Sequence, residues 1–164
     1  MSALSLPGEV PVRCRAVAIA VLRGAGAAGT EVLLLRRAPG AYAGEWCLIT
    51  GRMEAGEPAW RTAARETEEE AGVRLRALYS AGYCDSFYSP SSETLEVVPV
   101  FVGLVDPDAV ITLNEENTGF RWVTIPEAIE LVPFHGHRIA LDAIARDFAA
   151  RPPGEWRRVT QYRP

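Results

Sequence analysis

The stretch GRMEAGEPAWRTAARETEEEAGV, residues 51–73, carries the strongest structural signal in the chain. Pro58 suits the first position of a helix, and Gly72 suits a left-handed C-terminal stop, so we expect one helix between them. Four glutamates fall within the five positions 66–70. Like charges at adjacent and i+4 positions repel one another and destabilise a helix, so we expect a partner that offsets this repulsion.

A helical projection at about 100° per residue separates these glutamates into two groups. Glu66, Glu69 and Glu70 share one flank, whereas Glu68 lies on the other side of an apolar stripe. The stripe consists of Trp60, Ala63, Ala64, Thr67 and Ala71. Three carboxylates beside a buried stripe suit a divalent cation such as Mg²⁺, which prefers oxygen ligands. The alternative is a charge-rich helix with a solvated face.

The spacing of the fixed residues favours the metal-binding interpretation. They are Gly51, Glu57, Arg65, Glu66, Glu69, Glu70 and Gly72. This pattern resembles the Nudix box, G-x5-E-x7-R-E-U-x-E-E-x-G-U, in which U is aliphatic. Thr67 is the single departure, and we expect it to point into the apolar stripe, away from the chemistry. The resemblance implies an α/β fold, a Nudix-type α/β/α sandwich around a mixed β-sheet, and hydrolysis of a nucleoside diphosphate linked to another group, with Mg²⁺ or Mn²⁺.

The resemblance also implies roles for individual residues. Glu69 and Glu70 would bind the metal directly, Glu66 would be a ligand or the base that activates water, and the carbonyl of Thr50 would be a further ligand. Glu57 and Arg65 would form a supporting ion pair, Gly51 would turn the loop, and Gly72 would end the helix. Hydrolysis of a phosphoanhydride requires such groups, because the metal neutralises phosphate oxygens while a carboxylate accepts the proton of water.

A second acidic segment, NEENTGFRWV at residues 114–123, offers one more glutamate for the metal or for catalysis. Of Glu115 and Glu116, the second fits an E-x5-W pattern that ends at Trp122. The alternative is an ordinary surface loop.

The surrounding residues resemble the branch of the family that hydrolyses dihydroneopterin triphosphate and nucleoside triphosphates to a monophosphate and pyrophosphate. Arg36 or Arg37 could contact phosphate, but alternation along a strand allows only one of them to do so. Trp46, Phe87 and Tyr88 could stack on a base.

Three alternatives remain open. The segment FYSPSSE, residues 87–93, resembles a loop of ADP-ribose hydrolases, so ADP-ribose or another nucleotide sugar is an alternative substrate. A non-catalytic nucleotide-binding domain of the same fold is disfavoured, because the box has kept its charged residues. A structural domain with a merely acidic helix would show no effect of Mg²⁺ on melting. His135 and His137 are interpreted as polar residues at a helix end, without a catalytic role.

The length of the chain predicts a single domain over residues 1–164, and the order of strands and helices around the box is compatible with the resemblance over a core at about 13–148. A net charge of −4 supplies no general basic field for nucleic acid or membranes. The three cysteines are far apart, so neither a disulfide framework nor a zinc site is expected. We expect a cytoplasmic protein with a small nucleotide or pterin phosphate as its partner. A homodimer is left open.

The remaining segments follow from hydrophobic pattern and turn residues. We expect strands at 16–22 and 31–37 around a Gly-rich turn at 24–29, and a short strand at 46–51. Further strands are expected at 75–87, 94–105 and 119–125, with helices at 125–132 and 137–150. The tail from 151 to 164 is left unassigned.

Overall fold

The structure, a computed structural model, describes residues 8–24 and 29–164. Its described strands form one mixed sheet. They are β1 (Val12–Arg13), β2 (Ala16–Arg23), β3 (Glu31–Arg37), β4 (Trp46–Cys47), β5 (Ile49–Arg52), β6 (Ala77–Ser89), β7 (Thr94–Leu104) and β8 (Asn117–Thr124). The helices are α1 (Ala59–Ala71), α2 (Ile125–Leu131) and α3 (His135–Ile144), followed by a π-helical turn (Ala145–Ala149) and a 3₁₀ turn (Glu155–Arg157). No described helix is long and apolar enough to cross a bilayer.

Strand β2 lies at the centre of the sheet. It pairs in parallel with β7 along one edge, from Ala18 opposite Val100 to Leu22 opposite Leu104. Along its other edge it pairs antiparallel with β5 near its start and with β3 near its end. Residues 17–22 of β2 are all buried, because both faces of the sheet are covered.

Alternate residues of β2 divide the core into two layers. Ala18, Ala20 and Leu22 pack with residues of α2 and α3 on one face. Val17, Ile19 and Val21 pack with residues of α1 on the other face. The predicted α/β/α sandwich around a mixed sheet is therefore confirmed.

Helix α1 follows the expected pattern with one correction at its start. Pro58 is the N-cap residue, in extended conformation, so the helix begins one residue later than predicted. Gly72 ends it with φ of 66°, in the left-handed region, as expected. Thr67 is buried and its hydroxyl donates to the carbonyl of Ala63 at 2.8 Å, so the threonine satisfies its own polar group within the stripe.

Other predicted boundaries need adjustment. The expected strand at 46–51 is two strands, because β4 pairs with β3 whereas β5 pairs with β2. The last helix begins at His135 and passes into a π-helical turn instead of continuing as one helix from 137 to 150. Strand β6 extends to Ser89, so the polar loop before β7 is shorter than expected. The centre of the Gly-rich turn, residues 25–28, lies outside the described residues.

The tail, left unassigned from the sequence, is folded against the sheet. Arg158 forms an antiparallel bridge with Tyr79, and the amide of Val159 donates to the carbonyl of Leu78 at 2.9 Å. The hydroxyl of Tyr162 donates to the carbonyl of Leu75 at 2.7 Å. These bonds hold the end of the chain beside the C-terminal end of α1.

Candidate active site

Arg65 connects the loop before α1 to the carboxylates of the helix. Its Nε and Nη2 donate to the two oxygens of Glu57, each at 3.0 Å. Its Nη1 donates to Glu66 at 2.9 Å and to Glu69 at 3.0 Å, while Nη2 also donates to the carbonyl of Arg52 at 2.9 Å. The predicted pair of Glu57 and Arg65 is present, and the same guanidinium also holds two of the predicted metal ligands.

The carboxylate of Glu57 joins this loop to α1 through several hydrogen bonds. Besides Arg65, it accepts hydrogen bonds from the hydroxyl of Thr62 at 2.8 Å and from the amide of Glu54 at 3.1 Å. The hydrogen bonds from Arg65 are the main reason that the pKa of Glu57 is lowered to about 2. Glu57 is therefore ionised at neutral pH and fastens the loop to the first turns of α1.

Glu70 is the most buried carboxylate of the box, with only 3% of the residue exposed. The amide of Asn117 donates to its Oε2 at 3.0 Å, whereas its buried Oε1 has no hydrogen-bond partner within residues 8–24 and 29–164. Burial raises the pKa of Glu70 to about 7, and the charges of Glu66 and Glu116 act in the same direction. A nearby cation would satisfy the unpaired oxygen and favour the ionised form.

Gly51 lies in strand β5 directly against Glu66. A Cβ atom at Gly51 would overlap the carboxyl end of Glu66, so only glycine leaves room for this side chain. The expectation that Gly51 turns the loop is wrong, because it lies within a paired strand opposite Val17. Burial raises the pKa of Glu66, while the hydrogen bond from Arg65 opposes that rise.

The carbonyl of Thr50 is oriented away from β2. The amide of Met53 donates to the carbonyl of Arg15, so these two residues form a hydrogen-bonded pair that continues the ladder of β2 and β5. Three positions further along the same register, Thr50 lies opposite Ala18. Hydrogen-bonded and non-hydrogen-bonded pairs alternate in an antiparallel ladder, so Thr50 and Ala18 form a non-hydrogen-bonded pair. The Thr50 carbonyl thus remains available as a ligand.

Glu116 precedes β8 and is exposed, but it lies near the box helix. Its charge raises the pKa of both Glu66 and Glu70. Its backbone carbonyl accepts a hydrogen bond from the amide of Ala38 at 2.8 Å, which fixes the segment beside the end of β3. The next residue, Asn117, which the sequence analysis did not single out, is the one that contacts Glu70.

These groups are consistent with a hard divalent cation, because all the candidate donors are oxygen atoms and their charges repel one another. Within residues 8–24 and 29–164, however, no three His, Cys, Asp or Glu side chains already converge closely enough to hold a metal ion. Arg65 engages Glu66 and Glu69 instead. A bound cation would therefore compete with Nη1 of Arg65 for these two carboxylates.

A cavity of about 490 Å³ lies beside the box, with Thr50 and Arg37 in its wall. Aromatic side chains line its other parts: Tyr42, Phe87, Phe134 and His137. The rings of Tyr42 and Phe134 meet edge to face at 4.9 Å, and those of Phe134 and His137 at 5.1 Å. The cavity thus combines an apolar aromatic region with a guanidinium close to the carboxylates.

The structure brings only part of the predicted substrate-binding set to this cavity. Arg37 and Phe87 line it. Arg36 instead donates to the carbonyl of Gly44 at 3.2 Å. Trp46 packs against the core, with the guanidinium of Arg121 over its ring. Tyr88 is exposed and lies outside the cavity wall. One arginine of the pair therefore faces the cavity, as strand alternation predicts.

His137 differs from its interpretation as a polar residue at a helix end. It is buried in the first turn of α3, and burial lowers its pKa to about 4. Its Nδ1 has no hydrogen-bond partner in the part of the chain that the structure describes. A neutral imidazole in the cavity wall was not foreseen, because the helical pattern does not show that the ring of Phe134 lies against His137 or that both residues line a cavity.

The family model for the NUDIX domain matches residues 12–143. The chain belongs to the NUDIX family. It is a Nudix hydrolase, an enzyme that acts on acid anhydrides, and such hydrolases generally use divalent cations.

The chain is similar to three proteins that differ in how much of their length it covers. An octanoyltransferase of Myxococcus xanthus is 40% identical over 132 residues, 79% of this chain but only 36% of that protein. The asymmetrical bis(5'-nucleosyl)-tetraphosphatase of Sus scrofa is 31% identical over 68% of this chain and 76% of its own length. The crystal structure of the MutT protein from Methanosarcina mazei Go1 is 26% identical, with a TM-score of 0.69 over 87% of this chain and 97% of that chain.

Proposed function

We propose that this Nudix hydrolase cleaves a phosphoanhydride bond of a nucleoside polyphosphate with Mg²⁺. The observation that carries the proposal is that Thr50 and Arg37 line the aromatic cavity beside the box. Thr50 precedes Gly51, which lies against Glu66, and the charge of Arg37 acts on Glu70. A nucleoside polyphosphate has a flat apolar base at one end and a chain of anionic phosphates at the other. The two parts of the cavity complement these two parts of the substrate.

The proposed metal ligands are oxygen groups of the box and of the segment before β8. They are Glu66, Glu69, Glu70, Glu116 and the carbonyl of Thr50. When bound, the cation supplies charge neutralisation at the phosphates and lowers the pKa of water. Mg²⁺ is preferred because it takes oxygen ligands and retains positions for water and phosphate, and Mn²⁺ can substitute for it.

The protein groups then have distinct tasks. Glu66 or Glu116 accepts the proton of the attacking water. Arg65 positions Glu66, and Arg65 itself stays paired with Glu57. Arg37 holds a phosphate oxygen of the substrate through its guanidinium. Tyr42 and Phe134 bind the base and thereby set which phosphate reaches the carboxylates.

Two classes of substrate have the most support. A dinucleoside tetraphosphate is supported by the 31% identity to the Sus scrofa tetraphosphatase, three quarters of whose length the chain covers. A nucleoside or dihydroneopterin triphosphate is supported by the resemblance of the residues around the box. ADP-ribose stays a third candidate, on the basis of the segment at residues 87–93.

A substrate panel tests the proposal. The protein is incubated with Mg²⁺ and diadenosine tetraphosphate, nucleoside triphosphates, dihydroneopterin triphosphate or ADP-ribose, and the products are separated by chromatography. ATP with AMP indicates a tetraphosphatase, a monophosphate with pyrophosphate indicates a triphosphate substrate, and AMP with ribose phosphate indicates an ADP-ribose hydrolase. If neither Mg²⁺ nor Mn²⁺ supports turnover of any member of the panel, the proposal is wrong.

A further inference from the structure

A second cavity, of about 380 Å³, lies on the opposite side of α1 from the carboxylate flank. The helix and the tail enclose it together. Its wall consists of Trp60, Arg61, Ala64, Arg65 and Glu68 from α1, Arg74 and Leu75 after the helix, and Gln161, Tyr162 and Arg163 from the tail.

The side chains of α1 reach this cavity because of their spacing. Arg61, Arg65 and Glu68 follow one another at intervals of four and three residues, which places them on one face of the helix. Ala64, between them, is small and leaves space against the helix backbone. The same helix therefore presents carboxylates on one flank and a concave, mainly cationic surface on the other.

The tail completes the cavity. The hydrogen bond from the Tyr162 hydroxyl to the Leu75 carbonyl, at 2.7 Å, fixes the aromatic ring at the wall. The amide of Tyr162 also donates to the carbonyl of Val159 at 3.2 Å, so the last residues form a turn. This turn brings Arg163 to the same space as Arg61 and Arg74.

The four arginines in the wall differ in whether they form ion pairs with described residues. Arg65 is paired with Glu57, Glu66 and Glu69. Among the described residues, Arg61, Arg74 and Arg163 take part in no ion pair. Arg163 donates to the carbonyls of Thr160 and Tyr162, which are uncharged acceptors.

We propose that this cavity binds a phosphate-bearing anion at a site separate from the catalytic carboxylates. Guanidinium groups present donors in a planar fork that matches phosphate oxygens, and three of them outweigh the single carboxylate of Glu68. The rings of Trp60 and Tyr162 add an apolar wall against which an organic group can pack. The ligand is therefore either inorganic pyrophosphate or a small organic phosphate.

Binding is measured by calorimetry with pyrophosphate and with AMP as probes, in EDTA so that no divalent cation is present. The double variant Arg74→Gln/Arg163→Gln and the cavity-filling variant Ala64→Leu are expected to bind pyrophosphate roughly tenfold more weakly or worse. Arg146→Gln is the matched control, because Arg146 is an exposed arginine paired with Asp142 on α3. Its pyrophosphate affinity is expected to stay within about twofold of the original protein.

Arg37→Gln distinguishes this cavity from the catalytic site and is expected to retain pyrophosphate binding. Tighter binding of AMP than of pyrophosphate identifies an organic phosphate as the ligand, and the reverse order identifies the inorganic anion. The proposal is overturned if the original protein does not bind either probe, if the double variant binds normally, or if Arg37→Gln alone abolishes binding. The double variant alters exposed side chains only, so it keeps the test valid should Ala64→Leu fail to fold.

Discussion

Glu70 combines burial, charge and an unpaired oxygen in one side chain. Without a cation, its ionised form is disfavoured, since its pKa is raised from 4.5 to about 7. The free-energy cost of ionising Glu70 in the folded protein is absent at a pH below 4.5, where the carboxyl is protonated in both folded and unfolded protein. It is fully present above pH 7, so the metal-free protein is expected to lose stability as the pH rises through this range.

Replacing Glu70 by glutamine tests whether the buried charge lowers the stability of the metal-free protein and is also needed to bind the metal. Glutamine keeps an oxygen acceptor for Asn117 but carries no charge. In EDTA at pH 8, Glu70→Gln is expected to raise the free energy of unfolding, by up to about 3 kcal/mol, and to change little at pH 4.5. With Mg²⁺, the melting temperature should rise in the original protein but not in the variant. Glu68→Gln, at an exposed position of α1, is the control, and calorimetry provides both measurements.

Gly51 makes a second prediction at the scale of one residue. In Gly51→Ala, the new methyl group displaces the carboxyl end of Glu66. Because a positioned base contributes about 10²-fold or more to such a reaction, kcat is expected to fall by that order while the fold persists. Gly119→Ala is the control, since its Cβ would meet its nearest neighbours at an ordinary 3.9 Å. An unchanged kcat in Gly51→Ala would remove Glu66 from the mechanism.

At the scale of elements, what the sequence could predict depended on separation along the chain. Glu57 directly precedes the N-cap residue of α1, Arg65 lies two helical turns later, and the resemblance to the Nudix box implied their pair. Asn117 reaches Glu70 only because β8 pairs with β3. No local pattern contains that pairing, so this contact could not be predicted. The role of Gly51 was missed for the same reason, because it depends on how β5 lies against α1.

The connection between the loop and α1 can be weakened by Glu57→Gln. The variant loses the ion pair with Arg65, and hydrogen bonds to charged groups contribute roughly 1.5–3 kcal/mol. The pKa of Glu57 is lowered to about 2, so its stabilising effect is present above pH 4.5 and is lost as the pH falls towards 2. The variant is therefore expected to melt at a lower temperature at pH 7, with a smaller difference at pH 3. A pH-independent difference would contradict this explanation.

The aromatic part of the cavity joins the loop after β3 to the start of α3. Phe134→Ala removes the ring that meets both Tyr42 and His137. If the ring of Phe134 stabilises the bound base equally in the ground state and in the transition state, its loss is expected to raise KM roughly tenfold and to change kcat little. Phe120→Ala removes a ring from β8 that lies outside the cavity wall and serves as the control. Steady-state kinetics with the substrate found in the panel separates the two constants.

At the scale of the whole molecule, the layers were predictable and the tail was not. The resemblance to the Nudix box implied the sandwich, and the apolar runs located strands that are buried on both faces of the sheet. The tail has no comparable periodicity, and it is held by contacts that are distant in sequence, among them hydrogen bonds to Leu75 and Leu78 and the packing of Val159 and Tyr162 against the core. The expected cytoplasmic location and the oligomeric state stay predictions.

Tyr162→Phe tests how much the tail contributes to stability. Loss of the hydrogen bond to the Leu75 carbonyl is expected to cost about 1 kcal/mol, or roughly 2–4 °C in melting temperature. Tyr88→Phe, at a residue that is 52% exposed, is the control for the loss of a hydroxyl group. Equal melting temperatures for Tyr162→Phe and the original protein would show that the tail is held by other contacts.

The central position of β2 also has a consequence for synthesis on the ribosome. Strands β3 and β5 and helix α1 follow β2 closely along the chain, so one edge of β2 can be covered early. The other edge waits for β7, since Ala18 pairs with Val100. Until β7 has been translated, we expect this edge of β2 to lack its backbone partners, and an apolar strand with an open edge is prone to aggregation. The carboxylates of the box are thus assembled on a sheet that is closed only later.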